Sequence, residues 1–333
     1  MEREPKTLQE AIVYFSDPDN CRNYLVARRW PDGVTCPRCG SANVKFQPKY
    51  NRWQCASHHQ AISDKRRQFT LKTGTIFEES RIGLDKWLTA MWQIVNCKNG
   101  ISSYEIHRAI GVTQKTAWFM DHRIRLALGM GSSGKLAGEI EVDETYIGGL
   151  ARNMHRDKRD KKITGTGGAG KVAVMGLLER DGEVRAKVIA DATQLTLHAE
   201  VRENVEAGAE LFTDGWKGYS GLHADYIHQV IDHAEKYVDG QIHTNGIENF
   251  WSLLKRGLKG TYVSVEPFHL FRYLDEQSFR FNNRKVSDAE RFSAAVSGIT
   301  NKRLTFEHLT GKTSDAGLLA TLAQFDNNAE RGN

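Results

Sequence analysis

The stretch E-V-D-E-T-Y-I, residues 141–147, carries acids inside an apolar strand. Alternation with period two puts Glu141, Asp143 and Thr145 on one face, with Val142 and Tyr146 on the other. The segments downstream of it set the architecture. K-V-A-V-M-G-L-L-E-R-D-G-E-V-R-A-K-V-I (171–189) reads as two strands around Asp181-Gly182, a hairpin signal. T-L-H-A-E-V-R-E-N-V (196–205) reads as a helix, A-E-L-F-T-D-G (209–215) as a short buried strand ending in a turn, and Y-I-H-Q-V-I (226–231) as another strand. From about Gly246 to Phe281 the pattern is helical. There is no internal repeat.

Three acids stand out in that order. Asp143 lies in the first strand, Asp214 opens the turn after a buried strand, and Glu248 lies at the start of the amphipathic helix H-T-N-G-I-E-N-F-W-S-L-L-K-R (243–256). Lys255 comes seven residues after Glu248 and shares its helical face. Three carboxylates held this way suit two divalent cations, which activate an attacking oxygen and stabilise a leaving one in phosphodiester chemistry. Hard cations such as Mg2+ or Mn2+ take oxygen ligands, hence carboxylates and not Cys or His. On the same helix Phe250, Trp251, Leu254 and Leu258 are expected to pack against the sheet. Trp216 and Tyr219, beside Asp214, read better as core than as base-stacking groups.

Upstream, residues 8–30 look helical, and Pro31-Asp32-Gly33 forces a turn. Val34 to Phe77 reads as a small metal-stapled β module. Cys36-Pro-Arg-Cys39 and Cys55-Ala-Ser-His58 have the Cys-x2-Cys and Cys-x2-His spacing of a closed, structural zinc site, with His59 as the rival fourth ligand. Arg52, Lys65, Arg66 and Arg67 flank it, as a nucleic-acid contact or as a solvated charge run. Residues 84–128 are helical, with Leu84, Trp87, Leu88, Met91, Trp92 and Val95 on one face. Two short helices joined at Gly111, capped by Ser102 and Thr113, have the form of a helix-turn-helix that would present Gln114, Lys115 and His122 to base edges. A plain pair of core helices explains Ile106, Ile110, Trp118 and Ile124 equally well. The Gly-rich residues 129–138 read as a linker. A-R-N-M-H-R-D-K-R-D-K-K-I (151–163) reads as a basic loop. Gly165, Gly170 and Lys171 match a phosphate-loop spacing, but Val172 stands where its Ser or Thr belongs. Residues 268–284 read as a final helix offering Arg280, Asn282, Asn283 and Arg284 to DNA, before a polar tail.

Composition bounds these readings. The 333 residues suffice for two or three domains. With 40% apolar and 26% charged residues the chain is an ordinary globular one, and a net charge of +5 permits nucleic acid without requiring it. No apolar run is long enough to span a membrane, and the charged N-terminus lacks a secretory stretch. A cytoplasmic, nucleoid-associated location is expected. Five cysteines, three of them between positions 36 and 55, favour metal binding over disulfides.

T-G-T-I-F (73–77), K-W-L-x-A-x-W (86–92), E-V-D-E-T-Y-I-G-G (141–149), T-D-G-W-x-G-Y (213–219) and the 243–256 stretch together resemble the ISXO-type insertion-sequence transposases, across roughly residues 10–290. The resemblance implies an N-terminal zinc ribbon and an α/β, ribonuclease-H-like DDE core. It implies Asp143, Asp214 and Glu248 as ligands of catalytic Mg2+ or Mn2+, and Lys255 as a DNA-backbone contact near the cut. Some relatives carry Asn for the third acid, so Asn249 is the second choice. Gln114, Lys115 and Arg256 are further DNA-binding candidates. The implied reaction is hydrolysis at an element end, then attack of the freed 3′-hydroxyl on target DNA. The implied partners are double-stranded terminal repeats and target DNA, with at least a homodimer on DNA. The expected layout is a helix and zinc ribbon over 1–80, a helix-turn-helix-like domain over 81–134, the catalytic domain over 135–300 and a tail over 301–333. Two other readings are a zinc-ribbon DNA-binding regulator with an inactive core, and a nuclease that cuts without joining.

Overall fold

The computed structural model describes residues 4–57, 59, 66–129, 131, 134–148, 170–231 and 243–311. The chain forms two compact units: Met1–Ile94 with Ser103–Ala127 and Asp288–Asn333, and Val95–Ser102 with Leu128–Ser287.

The first unit opens with α1 (Leu8–Phe15) and α2 (Pro18–Arg29). The sequence suggested one helical stretch; it breaks at Ser16-Asp17. Asp17 caps α2 through the Asp19 N–H, and Pro18 takes the first helical position, where no N–H is needed. An antiparallel sheet follows in the order β1 (Val44–Gln47), β2 (Arg52–Cys55), β3 (Gln68–Phe69). This sheet is too small for a large core, and aromatics fill it: Trp53 stacks on Phe69 at 5.8 Å, and Trp30 and Phe46 pack beside the Trp53 ring. Helices α3 (Leu84–Asn96), α4 (Ser103–Ile110) and α5 (Gln114–Leu128) complete this part. Thr113 caps α5 through the Thr116 N–H, as its position suggested.

The second unit is built on a five-stranded sheet. Its strands are β4 (Glu139–Ile147), β5 (Val172–Glu179), β6 (Val184–Ile189), β7 (Glu210–Asp214) and β8 (Ile227–Ile231), in the order β6-β5-β4-β7-β8. β4, β5 and β6 run antiparallel, whereas β7 and β8 run parallel to β4. Asp181 takes φ 59° in the β5–β6 turn, the conformation that an Asp-Gly hairpin asks for. Helix α6 (Gln194–Asn204) covers one face, where Val142, Leu197, Val201, Leu211 and Tyr219 share a core. Helices α7 (Asn245–Gly257) and α8 (Leu270–Asn282) cover the other, with Val174, Leu178, Phe250, Trp251 and Leu274. Gly176 in β5 lets α7 approach: a Cβ there would lie 2.6 Å from the Trp251 ring and 2.7 Å from Ile247 Cδ1.

Several expectations are corrected in this unit. The 129–138 segment is not all loose linker, because Leu136 is buried and bonded to Asn204 and Glu206. The helical run from Gly246 to Phe281 is interrupted by a π-type turn over Leu258–Tyr262 and by Pro267. Asn282 is half-buried and its amide is taken up by the edge strand β6: its oxygen accepts from the Val184 N–H at 2.8 Å and its nitrogen donates to the Val184 carbonyl at 3.0 Å. Arg280 is likewise withdrawn from any DNA contact, being buried in a pair with Glu276, whose carboxylate also accepts from Tyr262.

The chain then returns to the first unit as α9 (Asp288–Ser297) and α10 (Phe306–Thr310). Phe292 of α9 sits fully buried against Phe15, Tyr24 and Trp92. Among the described residues no helix is long and apolar enough to cross a membrane.

Candidate catalytic carboxylates and a candidate zinc centre

Asp143 and Asp214 come from neighbouring parallel strands. β4 and β7 pair from Glu139↔Glu210 to Glu141↔Phe212, and the same offset carried two residues on brings Asp143 level with Asp214. Both carboxylates are half-buried. Burial, then the like charges of Glu144 and Asp214, push the Asp143 carboxyl from its ordinary 3.8 up to about 7. Trp251 Nε1 donates to Asp143 Oδ2 at 2.9 Å and opposes that rise. The indole expected only to pack α7 on the sheet therefore also holds the first acid.

Glu144 was missed by the sequence reading. It lies on the α6 face of β4, where Tyr219 donates to its carboxylate. Burial raises its pKa, the Tyr219 bond lowers it, and Asp214 raises it again, with a net rise. Tyr219 is core, as its position suggested, and burial followed by the Glu144 charge lifts its hydroxyl well above the ordinary value. The signal available was the E-T-Y run itself: an acid on the apolar-facing side of a strand calls for a buried donor.

Glu141, on the Asp143 face as expected, is fully buried. Its Oε2 accepts from the Ile247 N–H at 2.8 Å, in the first turn of α7, so a strand carboxylate caps the helix that bears Glu248. Arg180 completes the site, donating from Nε to Glu141 Oε1 at 3.2 Å and from Nη2 to the His243 carbonyl at 2.8 Å, over the Phe212 ring.

Glu248 is exposed in that first turn, and Thr244 Oγ1 donates to its Oε1 at 3.0 Å. Around α7 the buried residues Ile247, Phe250, Trp251, Leu254 and Leu258 define one direction. At 100° per residue Glu248 and Lys255 fall together on one flank of that direction, beside Trp251, while Asn249 falls on the far side. The structure thus brings Asp143 and Asp214 together and adds Glu144. Among the described residues it gathers no carboxylate trio with ligand atoms within 4.8 Å of one another.

The second constellation is tighter. Cys36, Cys39, Cys55 and His59 have their ligand atoms within 4.8 Å of one another. Cys39 Sγ to Cys55 Sγ is 3.7 Å and Cys36 Sγ to His59 Nε2 is 3.7 Å. A zinc tetrahedron with Zn–S bonds of about 2.3 Å has S···S edges of about 3.8 Å, so the set fits. His59 Nδ1 faces the Arg66 carbonyl at 2.9 Å; donating there would leave the Nε2 lone pair for a metal. Burial raises the Cys55 thiol, but bonds from His59 and the Ser57 backbone outweigh it and leave it at about 7. His58, the first choice from spacing, lies outside the described residues, as does Lys65. Arg67 is exposed and donates to the Cys55 and Ala56 carbonyls.

Of the DNA-contact candidates, Lys115 and Arg256 are exposed and Gln114 is half-buried, its amide donating to Ser103 Oγ at 2.9 Å. His122 is fully buried and cannot be presented to a base. Gly165 and the basic 151–163 segment lie outside the described residues.

Comparison with known proteins finds two family matches. Residues 135–282 match the family model described as an ISXO2-like transposase domain, and residues 16–60 match a transposase zinc-ribbon domain. A protein from Halobacterium salinarum, described as an uncharacterized protein in transposable element ISH50, is 28% identical over 257 residues, covering 74% of this chain and 85% of its own. In both modules the chain resembles the ISXO2-like insertion-sequence transposases.

Proposed function

We propose that this chain binds the ends of an insertion sequence and catalyses metal-dependent DNA strand cleavage and strand transfer. One observation carries the reading: Asp143 and Asp214 stand level on adjacent parallel strands, and Asp143 is held up to about 7 by burial and by its acidic neighbours. Such a carboxylate is costly alone and is stabilised by a cation. The β6-β5-β4-β7-β8 order, with the first acid on the sheet's first strand and the second ending its fourth, supports a ribonuclease-H-like assignment.

Asp143, Asp214 and Glu248 are the proposed ligands of Mg2+ or Mn2+. Bound there, the ions would supply activation of the attacking oxygen and stabilisation of the leaving one. Trp251 fixes the Asp143 carboxylate, Glu141 fixes the start of α7, and Lys255 lies on the flank of Glu248 to meet a phosphate. Glu248 is preferred over Asn249 because only Glu248 flanks the sheet-facing side of α7. The zinc ribbon, with His59 as the fourth ligand, is the proposed end-recognition module. A homodimer or larger assembly on DNA follows from the need to pair two ends.

The test is a Mg2+ and Mn2+ titration with supercoiled plasmid carrying the element's own ends. Asp143→Asn, Asp214→Asn and Glu248→Gln are each expected to abolish nicking while leaving end binding nearly intact, and Asn249→Ala is expected to nick normally. Nicking by Glu248→Gln with loss in Asn249→Ala would move the third ligand. End binding without cleavage in any metal would favour a DNA-binding regulator, and cleavage without joining of a 3′-hydroxyl end would favour a nuclease.

A further inference from the structure

The small sheet of the first unit has two unlike faces. The pairs Val44↔Cys55, Phe46↔Trp53 and Trp53↔Phe69 share one face, which carries the stacked aromatics and the Cys55 thiol. The pairs Lys45↔Gln54, Gln47↔Arg52 and Gln54↔Gln68 alternate with them and share the other. That second face consists of two cations and three amides. Lys45 and Gln68 are exposed, and Gln47, Arg52 and Gln54 are half-buried. From Gly33 to Ser63 the chain has no Asp or Glu, although it carries 41 in all. The surface is therefore complementary to a polyanion.

The polar face is also ordered. Arg52 Nε donates to Gln47 Oε1 at 2.9 Å, and its guanidinium lies 4.5 Å from the centre of the Tyr50 ring. The bond takes Nε and holds the planar fork in one orientation. Gln54 Nε2 donates to the Cys55 carbonyl at 3.3 Å, which uses one amide hydrogen and leaves the other for a partner. At the tip of the β1–β2 hairpin Lys49 is exposed and Tyr50 is 57% exposed.

Phosphates alone would call for cations. Amides beside an oriented guanidinium match base edges as well. In the major groove Arg pairs with guanine O6 and N7, Gln pairs with adenine N6 and N7, and the groove is wide enough to admit a two-stranded β-ribbon. The rival reader is the start of α5, and its side chains are engaged within the protein. Gln114 donates to Ser103 Oγ at 2.9 Å, Lys115 Nζ lies 4.7 Å from the centre of the Phe306 ring, and His122 is fully buried. We propose that the β1–β2 hairpin lies in the major groove of double-stranded DNA at the element end, with Arg52 and Gln54 on base edges and Lys45 and Lys49 on the flanking phosphates. The inference rests on the end binding proposed for the zinc ribbon and adds the face, the groove and the side chains that select the sequence.

The test uses the full chain supplied with zinc and reads anisotropy on two duplexes, one carrying the element's own terminal repeat and one with the same bases scrambled. Arg52→Lys keeps the charge and removes the fork. It is expected to lower the preference for the terminal repeat about tenfold, with little change on the scrambled duplex, and Gln54→Ala is expected to do the same. Gln114→Ala is expected to keep the preference. Lys49→Ala is expected to weaken both duplexes and to reduce the slope of log K against log salt by about one. The zinc content of each variant reports whether the ribbon is folded. A second measurement needs no variant: single purines of the terminal repeat are replaced in turn by 7-deaza analogues, which lack the N7 acceptor of the major groove. Wild-type affinity is expected to fall at one position or more, and the fall at one of them to vanish in Arg52→Lys or Gln54→Ala. Preference retained in full by both variants would overturn the assignment of this face and leave end recognition in place. Preference indifferent to every 7-deaza substitution would overturn the major-groove contact. A wild type that binds the two duplexes equally would overturn end recognition itself, and this inference with it.

Discussion

At the scale of single residues, the two strands flanking β7 carry titratable groups held in opposite senses. Asp143 and Glu144, on β4, are held up by burial and like charge, so each resists ionisation. His228, on β8, is held down: burial first, then the neighbouring His223 and His198, lower its pKa below 6.5. Its Nε2 lies 2.9 Å from Thr213 Oγ1, which itself donates to the Asp214 carbonyl. The ring is therefore the neutral donor to that hydroxyl. A depressed folded pKa gives stability that is present above pH 6.5 and lost as pH falls through the lower folded value. The acids work the other way, since protonating them relieves repulsion. We expect His228→Gln, which keeps a donor for Thr213 without the charge, to flatten part of the acid loss. Between pH 7 and 5 with chelator present, the melting temperature of wild type should fall further than that of the variant, by about 2–4 °C for each 1 kcal/mol. Parallel curves would mean that the ring charges without cost.

At the scale of elements, the site depends on how closely α7 lies on β5. Gly176 permits that approach, since any Cβ there meets Trp251 and Ile247. Gly176→Ala should lift the helix, loosen the bond from Trp251 to Asp143 and cost about 1–3 kcal/mol by overpacking. Two of the three nearest atoms are on the six-membered ring of Trp251 and the third is Ile247 Cδ1, so Trp251→Phe should relieve part of the clash. In urea unfolding the double variant should be more stable than Gly176→Ala alone, while cleavage stays low because the indole donor is gone. A double variant no more stable than the single would place the strain elsewhere. The strands, the Asp181-Gly182 hairpin and the amphipathic α7 were legible in sequence, because period two, period 3.6 and turn chemistry are local signals. Asp143 and Asp214 were legible as acids at strand positions. Glu144 with Tyr219, and Glu141 with the start of α7, were not: each pair spans 75 or 106 residues and forms only when the sheet is assembled. Arg280 and Asn282 misled for the same reason, as a polar helical stretch does not reveal which side chains a neighbouring strand will claim.

At the scale of the whole molecule, the first unit is closed by a segment that comes after the second in sequence. The link is specific. Thr75 bridges Thr300, the Ile76 N–H donates to the Ile299 carbonyl at 3.0 Å, and the Asn301 N–H donates to the Gly74 carbonyl at 2.9 Å. The T-G-T-I-F motif is thus the strip on which residues 299–301 pair. Beside it Phe292 fills the space between α1, α2 and α3, and Arg28 Nε donates to Ser293 Oγ at 3.1 Å. A fragment of residues 1–134 would leave this apolar seat and these backbone groups open to water. We expect that fragment, supplied with zinc, to unfold at low urea with a shallow transition. A peptide of residues 288–311 added in excess should bind it and sharpen the transition, because binding to the folded form alone stabilises it by mass action. In the full chain Phe292→Ala should cost about 3–5 kcal/mol, and the same change in the peptide should abolish its effect on the fragment. The zinc module gives an independent readout, since Cys36, Cys39 and Cys55 would stay protected from thiol reagents wherever the ribbon remains folded on its ion. If the fragment unfolds cooperatively at the same urea concentration with and without the peptide, the C-terminal segment is an ornament on the first unit and not its closing element.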